Sequence, residues 1–365
     1  MVSGQTAFSG LIGHERALDL LAREVDHPSH AYFFVGPTGV GKATVARRFA
    51  AALLCDRQGR HETDCAICRR VAAGNHPDVV VVEPDGRTVL TVDQARTTVA
   101  QATLVPLEGA RKVFLFEEAG MMNEPAANAL LKTLEEPTAS TIFILVADSE
   151  HDLPSTVESR CRVVQFGRVA DIELGEALAA KGLEPERAAE VARISGGRPG
   201  LALALANHVE VAGFRRTWLA VPSQISPEPG RAFLLADHVL EGSAPLLLAL
   251  EERHRTELDA EGSDLPPARI RMVHERQERE AKRQSHALLT SGLEILASWY
   301  ADAAVSQFGG PIRNQDVPTT GFVSVTPREA IVRAERVLQA VIELEANQRP
   351  RLVLASLFAD LAHQT

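Results

Sequence analysis

Uninterrupted apolar runs alternate with helical patterns over about the first 165 residues of this 365-residue chain. Apolar runs without polar alternation are typical of strands that are covered on both faces, and their alternation with helices indicates a parallel sheet with flanking helices. We predict strands at residues 31–35, 79–82, 112–116 and 141–146, and helices at residues 42–54, 91–102 and 124–134.

Beyond residue 166 the pattern is helical. Two short helices are predicted at residues 171–180 and 185–194, and a Ser-Gly-Gly-Arg-Pro-Gly stretch at 195–200 leads into a further helix rich in Ala and Leu. Together these elements predict a small helical lid. The Pro- and Ser-rich stretch 221–230 predicts a boundary or hinge.

From residue 231 onward the pattern is helical throughout. Segment 269–282 carries many charges of both signs, which predicts a solvated face. It runs into Leu289, Leu293, Leu296 and Tyr300, an apolar stripe at helical spacing.

These patterns predict a chain of the α/β class with three parts. The first is a parallel-sheet domain over residues 1–166 with a cysteine-containing insertion at 55–76. A small helical lid over 167–210 and an all-α domain over 211–365 follow.

Composition and charge narrow the class of protein. The formal net charge of −10 provides no global positive field for nucleic acid, so any DNA contact must come from a local patch or from partner chains. The N-terminus lacks a signal-peptide pattern, and apolar runs such as 246–250 are too short to span a bilayer. Four cysteines, three of them clustered, do not make a disulfide framework. We therefore expect a cytoplasmic protein without membrane contact.

The stretch between the first predicted strand and the next helix has the spacing of a phosphate-binding P-loop. Its residues are Gly36, Pro37, Thr38, Gly39, Val40, Gly41 and Lys42. In such a loop the glycines let backbone N–H groups surround a polyphosphate, and the lysine reaches the outer phosphates. We therefore predict that the loop binds ATP or ADP. The alternative is a glycine-rich turn with a stray lysine.

The position after the lysine is unusual for a hydrolysing enzyme. A Ser or Thr normally holds magnesium there, whereas this chain has Ala43, whose methyl group cannot bind a metal. Magnesium would have to be held by the phosphates, by water or by Thr44, which lies roughly a third of a helical turn away. We predict nucleotide binding without efficient hydrolysis.

Two acidic residues, Glu117 and Glu118, follow the predicted strand 112–116. Hydrolysing P-loop enzymes carry there an Asp for magnesium and a Glu that polarises the attacking water. Glu117 is one methylene longer than Asp, which would shift the metal contact, and Glu118 remains a candidate base. The alternative is a pair of acids at the beginning of a helix.

Two arginines are candidates for contact with phosphate. Arg160, in Ser159-Arg160-Cys161, ends the loop after the fourth predicted strand. From there an arginine can reach across a subunit boundary and neutralise charge that develops on a neighbour's γ-phosphate; the alternative is a surface ion pair. Arg198 opens a lid helix, where it can contact phosphate in its own subunit or serve as an ordinary charge at a helix start.

The clustered cysteines, Cys55, Cys65 and Cys68, have the spacing of a zinc knuckle that lacks one ligand. Structural zinc takes a closed tetrahedral set of soft or imidazole ligands. Val71 stands where the fourth ligand is expected, and the residues that could replace it are His61, Asp64 and His76. The alternative is a degenerate site without metal.

Further stretches complete a family pattern. The chain opens with the box Phe8-Ser9-Gly10-Leu11-Ile12-Gly13-His14, and residues 126–137 read Ala-Ala-Asn-Ala-Leu-Leu-Lys-Thr-Leu-Glu-Glu-Pro. With the P-loop, the Ser-Arg-Cys triplet and the cysteine cluster, they resemble bacterial clamp-loader subunits of the AAA+ family over residues 8 to about 205. This resemblance implies an AAA+ RecA-like nucleotide-binding domain, a helical collar over the remainder, and an arginine-finger role for Arg160.

The resemblance also bears on the type of subunit. The gamma and tau motor subunits keep a P-loop Ser or Thr, an Asp-Glu pair, all four cysteines and a polar sensor where this chain has Ala147-Asp148. A chain that lacks several of these residues but keeps the arginine of the Ser-Arg-Cys triplet resembles instead the delta-prime type. That likeness implies a stator in a ring with delta and motor subunits, which loads the sliding clamp onto primed DNA within the DNA polymerase III holoenzyme.

Two other functions stay open, since a fold does not determine a function. One is an active AAA+ motor, either gamma/tau-like or a branch-migration motor, and ATP turnover by the purified chain would indicate it. The other is a nucleotide-binding regulatory module outside replication, and failure to associate with motor and delta subunits would favour it.

Overall fold

The computed structural model describes residues 7–59, 65–84, 89–206, 208, 210–261, 267–314, 317–345 and 348–363. The chain forms two compact units. The first comprises Met1–Ala170 with Arg198–Gly200, and the second comprises Asp171–Gly197 with Leu201–Thr365. In the described ranges, no helix is both long and apolar enough to cross a membrane.

The first unit is built on a five-stranded sheet in the order β2-β3-β4-β1-β5. All of its strand pairs are parallel. The strands are β1 (Ala31–Val35), β2 (Val79–Val81), β3 (Lys112–Phe116), β4 (Thr141–Ala147) and β5 (Arg162–Gln165). The four predicted strands are therefore confirmed, and the predicted fold class with them.

Burial on both faces explains the uninterrupted apolar strands. Tyr32 and Phe34 of β1 lie in one core, where they pack with Phe49. Phe33 lies in the other core, together with Leu130. Strand β5 was not predicted, because it pairs only with β1 at the sheet edge and its ends are exposed.

The described residues of the first unit form the helices α1 (Glu15–Glu24), α2 (Lys42–Leu54), α3 (Ala66–Ala72), α4 (Val92–Ala102), α5 (Glu124–Glu135) and α6 (Ser155–Glu158). Local caps explain where two of them begin. Thr91 and Gln94 form a reciprocal capping box before α4. The Asn123 side chain accepts a hydrogen bond from the Ala126 N–H at the start of α5.

The parallel register brings the candidate site residues together at the carboxyl ends of the strands. Val35 lies opposite Ala147, so the loop after β1 begins beside the residue that follows β4. Phe116 at the end of β3 lies opposite Leu145, which places the acidic pair near the same edge. Parallel α/β sheets bind ligands outside the carboxyl ends of their strands.

The remaining described helices are α7 (Asp171–Ala180), α8 (Pro185–Ser195), α9 (Pro199–Leu205), α10 (Val211–Gln224), α11 (Arg231–Glu261), α12 (Pro267–Ser306), α13 (Pro327–Glu345) and α14 (Pro350–His363). Leu289, Leu293, Leu296 and Tyr300, the predicted stripe, are all buried. The predicted boundary at 221–230 overlaps the end of α10, which contains Pro222 and ends at Gln224. The domain limits 1–166, 167–210 and 211–365 stay predictions.

Candidate functional site

The P-loop connects β1 to α2, as its spacing predicts. Gly36 has a φ of 150°, and a Cβ added there would lie 1.9 Å from the carbonyl oxygen of Phe166, so only glycine fits. Gly41 caps α2 with a φ of 101°, in the left-handed region that favours glycine. The loop thus begins at a close backbone contact and ends at a helix N-terminus, the end of a helix that attracts anions.

Lys42 is buried, with 5% of its side chain exposed. Its Nζ donates hydrogen bonds to the carbonyl oxygens of Gly36 (2.5 Å) and Pro37 (2.8 Å). It also donates to Oδ1 of Asp148 at 2.9 Å. The residue at the sensor position after β4 is therefore in direct contact with the lysine that the P-loop motif assigns to phosphate.

Asp148 is held in place from both sides. Its Oδ2 accepts a hydrogen bond of 2.7 Å from the hydroxyl of Thr38, a second residue of the P-loop. The backbone N–H groups of Asp148 and Ser149 both donate to Oδ2 of Asp152, at 3.0 and 2.9 Å. The carboxylate of Asp148 therefore links the end of β4 to the loop after β1.

Glu117, predicted for the magnesium shell, lies in an ion pair with Arg47 of α2. Arg47 Nη2 donates to Oε2 at 2.6 Å, and Nε donates to Oε1 of the same carboxylate. Only 9% of the Glu117 side chain is exposed. Such a two-pronged pair satisfies both oxygens of the carboxylate, so a metal ion would have to compete with a guanidinium. Arg47 carries no motif, and sequence reasoning missed it.

The other predicted residues around magnesium differ in their exposure. Glu118 is buried beside Glu117. Thr44 is exposed and Ala43 is half-buried at the start of α2. The predicted base is thus buried at the end of β3, while Ala43 rather than Ser or Thr takes the usual metal position.

Two further residues lie against the P-loop. Arg198 is buried, and its Cδ lies 3.3 Å from where a Cβ of Gly39 would be. His14 Nε2 donates to the carbonyl oxygen of Val40 at 2.8 Å, and its ring packs edge-on against Phe166. His14 also has a φ of 63°, rare for a residue other than glycine. The opening box marked His14 in the sequence without predicting this contact.

Arg160 follows α6 and is 31% exposed. Its Nη1 donates to the carbonyl oxygen of Thr156 at 2.6 Å. Its Nε donates at 2.9 Å to Oε1 of Glu135, the last residue of α5, and Nη2 contacts the same oxygen. In the isolated chain, then, Arg160 forms an ion pair with its own subunit.

The three cysteines converge, as their spacing predicts. Their Sγ atoms all lie within 4.8 Å of one another, and Cys55 Sγ is 3.8 Å from Cys65 Sγ. Burial and the nearby Cys55 raise the pKa of Cys68 to about 12. Burial acts in the same direction on Cys65, but hydrogen bonds from the Cys68 backbone and the Cys55 thiol lower its pKa overall.

Three converging thiols suit the soft-ligand preference of zinc. Of the predicted fourth ligands, His61 and Asp64 lie outside the described residues. The buried His76 accepts a hydrogen bond at Nδ1 from the Asp78 N–H, 3.2 Å away. The residues present therefore fit most of a tetrahedral zinc shell.

Comparisons with known proteins agree with the motifs. Residues 13–170 match the family model described as DNA polymerase III, delta subunit. The DNA polymerase III subunit delta' of Pseudomonas aeruginosa is 43% identical over 136 residues, which cover 36% of this chain and 42% of that protein. The subunit delta' of Bacillus subtilis is 30% identical over 211 residues, which cover 58% of this chain and 64% of that protein.

Another similar relative is the subunit tau of Bacillus subtilis, 36% identical over 166 residues that cover 44% of this chain and 29% of that protein. The matched segments thus span less than two thirds of each of these relatives. Among solved structures, a DNA polymerase III gamma subunit-related protein from Thermotoga maritima aligns with 95% of this chain and 99% of its own, at 15% identity and a TM-score of 0.44. The resemblance to clamp-loader subunits of DNA polymerase III is confirmed by the sequence matches.

Proposed function

Because residues 13–170 match the family model described as DNA polymerase III, delta subunit, we propose that this chain is a delta-prime-type stator of the clamp loader. In this role it helps to load the sliding clamp onto primed DNA and supplies an arginine finger to a neighbour's ATP site. The observation that carries the proposal is the pairing of the chain's own nucleotide residues: Lys42 with Asp148, and Glu117 with Arg47.

Both pairs oppose hydrolysis in the chain's own site. Phosphoryl transfer needs a lysine on the outer phosphates and a metal ion that offsets the developing charge. Here the lysine is bound to a carboxylate, the metal-shell carboxylate is bound to a guanidinium, and Ala43 offers no ligand. The chain's own ATPase activity is therefore weak or absent, although the loop and Lys42 still bind ATP or ADP.

The residues proposed to hold a nucleotide are Gly36, Pro37, Thr38, Gly39, Val40, Gly41, Lys42, Ala43, Thr44, Glu117 and Arg198. A bound nucleotide would carry magnesium on its phosphates, and the metal ion would offset part of the negative charge of the phosphates. Glu118 is proposed as the residue that could still act as the general base of hydrolysis. Cys55, Cys65 and Cys68 hold zinc.

Arg160 acts in a neighbouring site. Its partner in the isolated chain is Glu135, which is 49% exposed, so the pair is in contact with solvent. Exposed ion pairs contribute about 0–1 kcal/mol to stability. The guanidinium can therefore readily exchange its carboxylate partner for a phosphate. Arginine suits this task because it is always charged and presents a planar fork of donors.

The proposed partners are the motor (gamma/tau) and delta subunits, with the sliding clamp and primed DNA contacted through the complex. The matching proteins named delta' and tau support this assignment. The net charge of −10 agrees with contact to DNA through partner chains.

Reconstitution tests the stator role against the alternative of a gamma/tau-like motor, which the similarity to tau favours. The chain is mixed with delta and motor subunits, and ring assembly and clamp loading onto primed circular DNA are measured. The Lys42→Ala variant is the decisive comparison. A stator does not need its own hydrolysis, so this variant should assemble and load clamps at close to the wild-type rate.

Loss of loading by an assembled Lys42→Ala ring would instead indicate a motor. Failure of the wild-type chain to join the ring at all would contradict a place in the clamp loader.

A further inference from the structure

The ammonium group of Lys42 is surrounded by acceptors that a nucleotide would have to displace. An ammonium offers three N–H donors, and the structure places the carbonyls of Gly36 and Pro37 and the carboxylate of Asp148 around it. The two carbonyls belong to the loop itself. The carboxylate is the charged acceptor of the three, and it comes from another strand end.

The position of Asp148 is built rather than incidental. One carboxylate oxygen accepts from Lys42 and the other from Thr38. The backbone of Asp148 is fixed in turn by Asp152, which caps the turn after β4. Both oxygens of this carboxylate are thus engaged at the loop, and 54% of the side chain is exposed.

The charges around the loop leave little to offset a long polyphosphate. Lys42, Arg47 and Arg198 bring positive charge, and Asp148, Glu117 and Glu118 bring an equal number of negative charges. The usual compensation is magnesium, but Glu117 is already paired with Arg47.

A P-loop lysine contacts the outer phosphates of a nucleotide. In this chain the group that contacts the lysine is Asp148, so the outermost phosphate and the Asp148 carboxylate compete for the same ammonium. The Asp148 side chain is 54% exposed, so solvent weakens its repulsion of a phosphate without removing it. Each additional phosphate therefore meets a larger penalty.

We propose that Asp148 makes this P-loop selective for nucleoside diphosphates over nucleoside triphosphates. Asp148 is thus a specificity-determining residue of the nucleotide site. The inference rests on the proposed nucleotide binding and identifies the class of ligand that the site takes. It does not depend on the subunit's place in the ring.

Titration of the full chain with ADP and with ATP, by calorimetry with and without magnesium, tests the proposal. The wild-type chain should bind ADP more tightly than ATP by about tenfold or more. Asp148→Asn keeps the shape of the side chain and removes its charge, so it should tighten ATP binding and bring the two dissociation constants close together. Glu150→Gln is the matched control, because Glu150 lies near Asp148 and its carboxylate accepts a hydrogen bond from the Gln165 side chain instead of from the P-loop. That variant should keep the wild-type preference.

Equal affinities of the wild-type chain for both nucleotides would overturn the proposal. So would an unchanged preference in a folded Asp148→Asn variant, or a wild-type chain that binds neither nucleotide. Ring assembly is measured separately, so these outcomes are distinguishable from failure of the proposed function.

Discussion

Two charged sites of the first unit differ in how their ion pairs meet solvent. At the P-loop, Lys42 is 5% exposed and Glu117 is 9% exposed, whereas their partners Asp148 and Arg47 are 54% and 37% exposed, so each pair joins a buried charge to a solvated one. At the end of α6, Arg160 and Glu135 are 31% and 49% exposed. Pairs of the first kind are costly to break because a buried charge is left without its partner. Pairs of the second kind exchange easily.

The difference agrees with two separate roles for one domain, one at its own nucleotide site and one at the site of a neighbouring subunit. Under the proposed function, the bonds of Lys42 to Asp148 and of Glu117 to Arg47 keep the chain's own site from hydrolysing ATP. The arginine proposed for the neighbouring site is held by a solvated ion pair and by a hydrogen bond to the carbonyl oxygen of Thr156. The same fold can therefore be inactive in its own site and contribute to the site of a partner.

The largest expected difference from a motor subunit is in ATP turnover by the isolated chain. Because Lys42 and Glu117 are both engaged and Ala43 is no metal ligand, we expect a steady-state rate equal to that of the Lys42→Ala variant. Ala43→Ser combined with Glu117→Asp should remain far below a motor subunit, since Asp148 still bonds Lys42. Robust turnover that depends on Lys42 would remove the contrast between the two sites.

A smaller effect is expected in the free energy of unfolding, measured with urea. Glu117→Gln removes the charge that Arg47 pairs with in a nearly buried place, and should cost about 1–3 kcal/mol. Glu135→Gln makes the same chemical change in the exposed pair, and should cost about 0–1 kcal/mol. Equal losses for the two variants would show that burial does not separate the sites.

The cysteine cluster offers the mildest test, because it lies apart from both ion pairs. Protein purified without chelators should contain about one zinc per chain, as one tetrahedral site requires. Cys68→Ser should lower the zinc content, whereas Cys161→Ser should not, since Cys161 is not part of the cluster. Wild-type protein free of zinc would mean that Val71 marks a lost site.

Much of the fold follows from local pattern. Strands β1, β3 and β4 were predictable because both faces are buried and the apolar runs are therefore uninterrupted. Strand β2 is only half-buried, but its run of valines gave the same signal. Strand β5 was not, because an edge strand with exposed ends needs only a short apolar centre, Val163 and Val164. The P-loop was predictable from the spacing of its glycines and lysine.

The partners of the site residues were not predictable. Asp148 is 106 residues from Lys42, and Glu117 is 70 residues from Arg47. These pairs arise from the order of the strands and from the register that sets Val35 beside Ala147. A single sequence carries no local signal for such a register.

The most direct test of the account is the ATPase rate of the assembled clamp loader with this chain carrying Arg160→Ala, Arg160→Lys or Glu135→Gln. Assembly is first shown to be complete, and the rate is then measured with clamp and primed DNA. Loss of an arginine finger slows hydrolysis in the neighbouring ATP site that it serves by about a thousandfold or more. Arg160→Ala should therefore give a partial fall in the total rate, confined to one site. Arg160→Lys should restore little of that loss, while Glu135→Gln should keep the full rate, since it leaves the finger in place. Equal rates for wild-type and Arg160→Ala complexes would mean that Arg160 is only the surface ion-pair residue seen in the isolated chain.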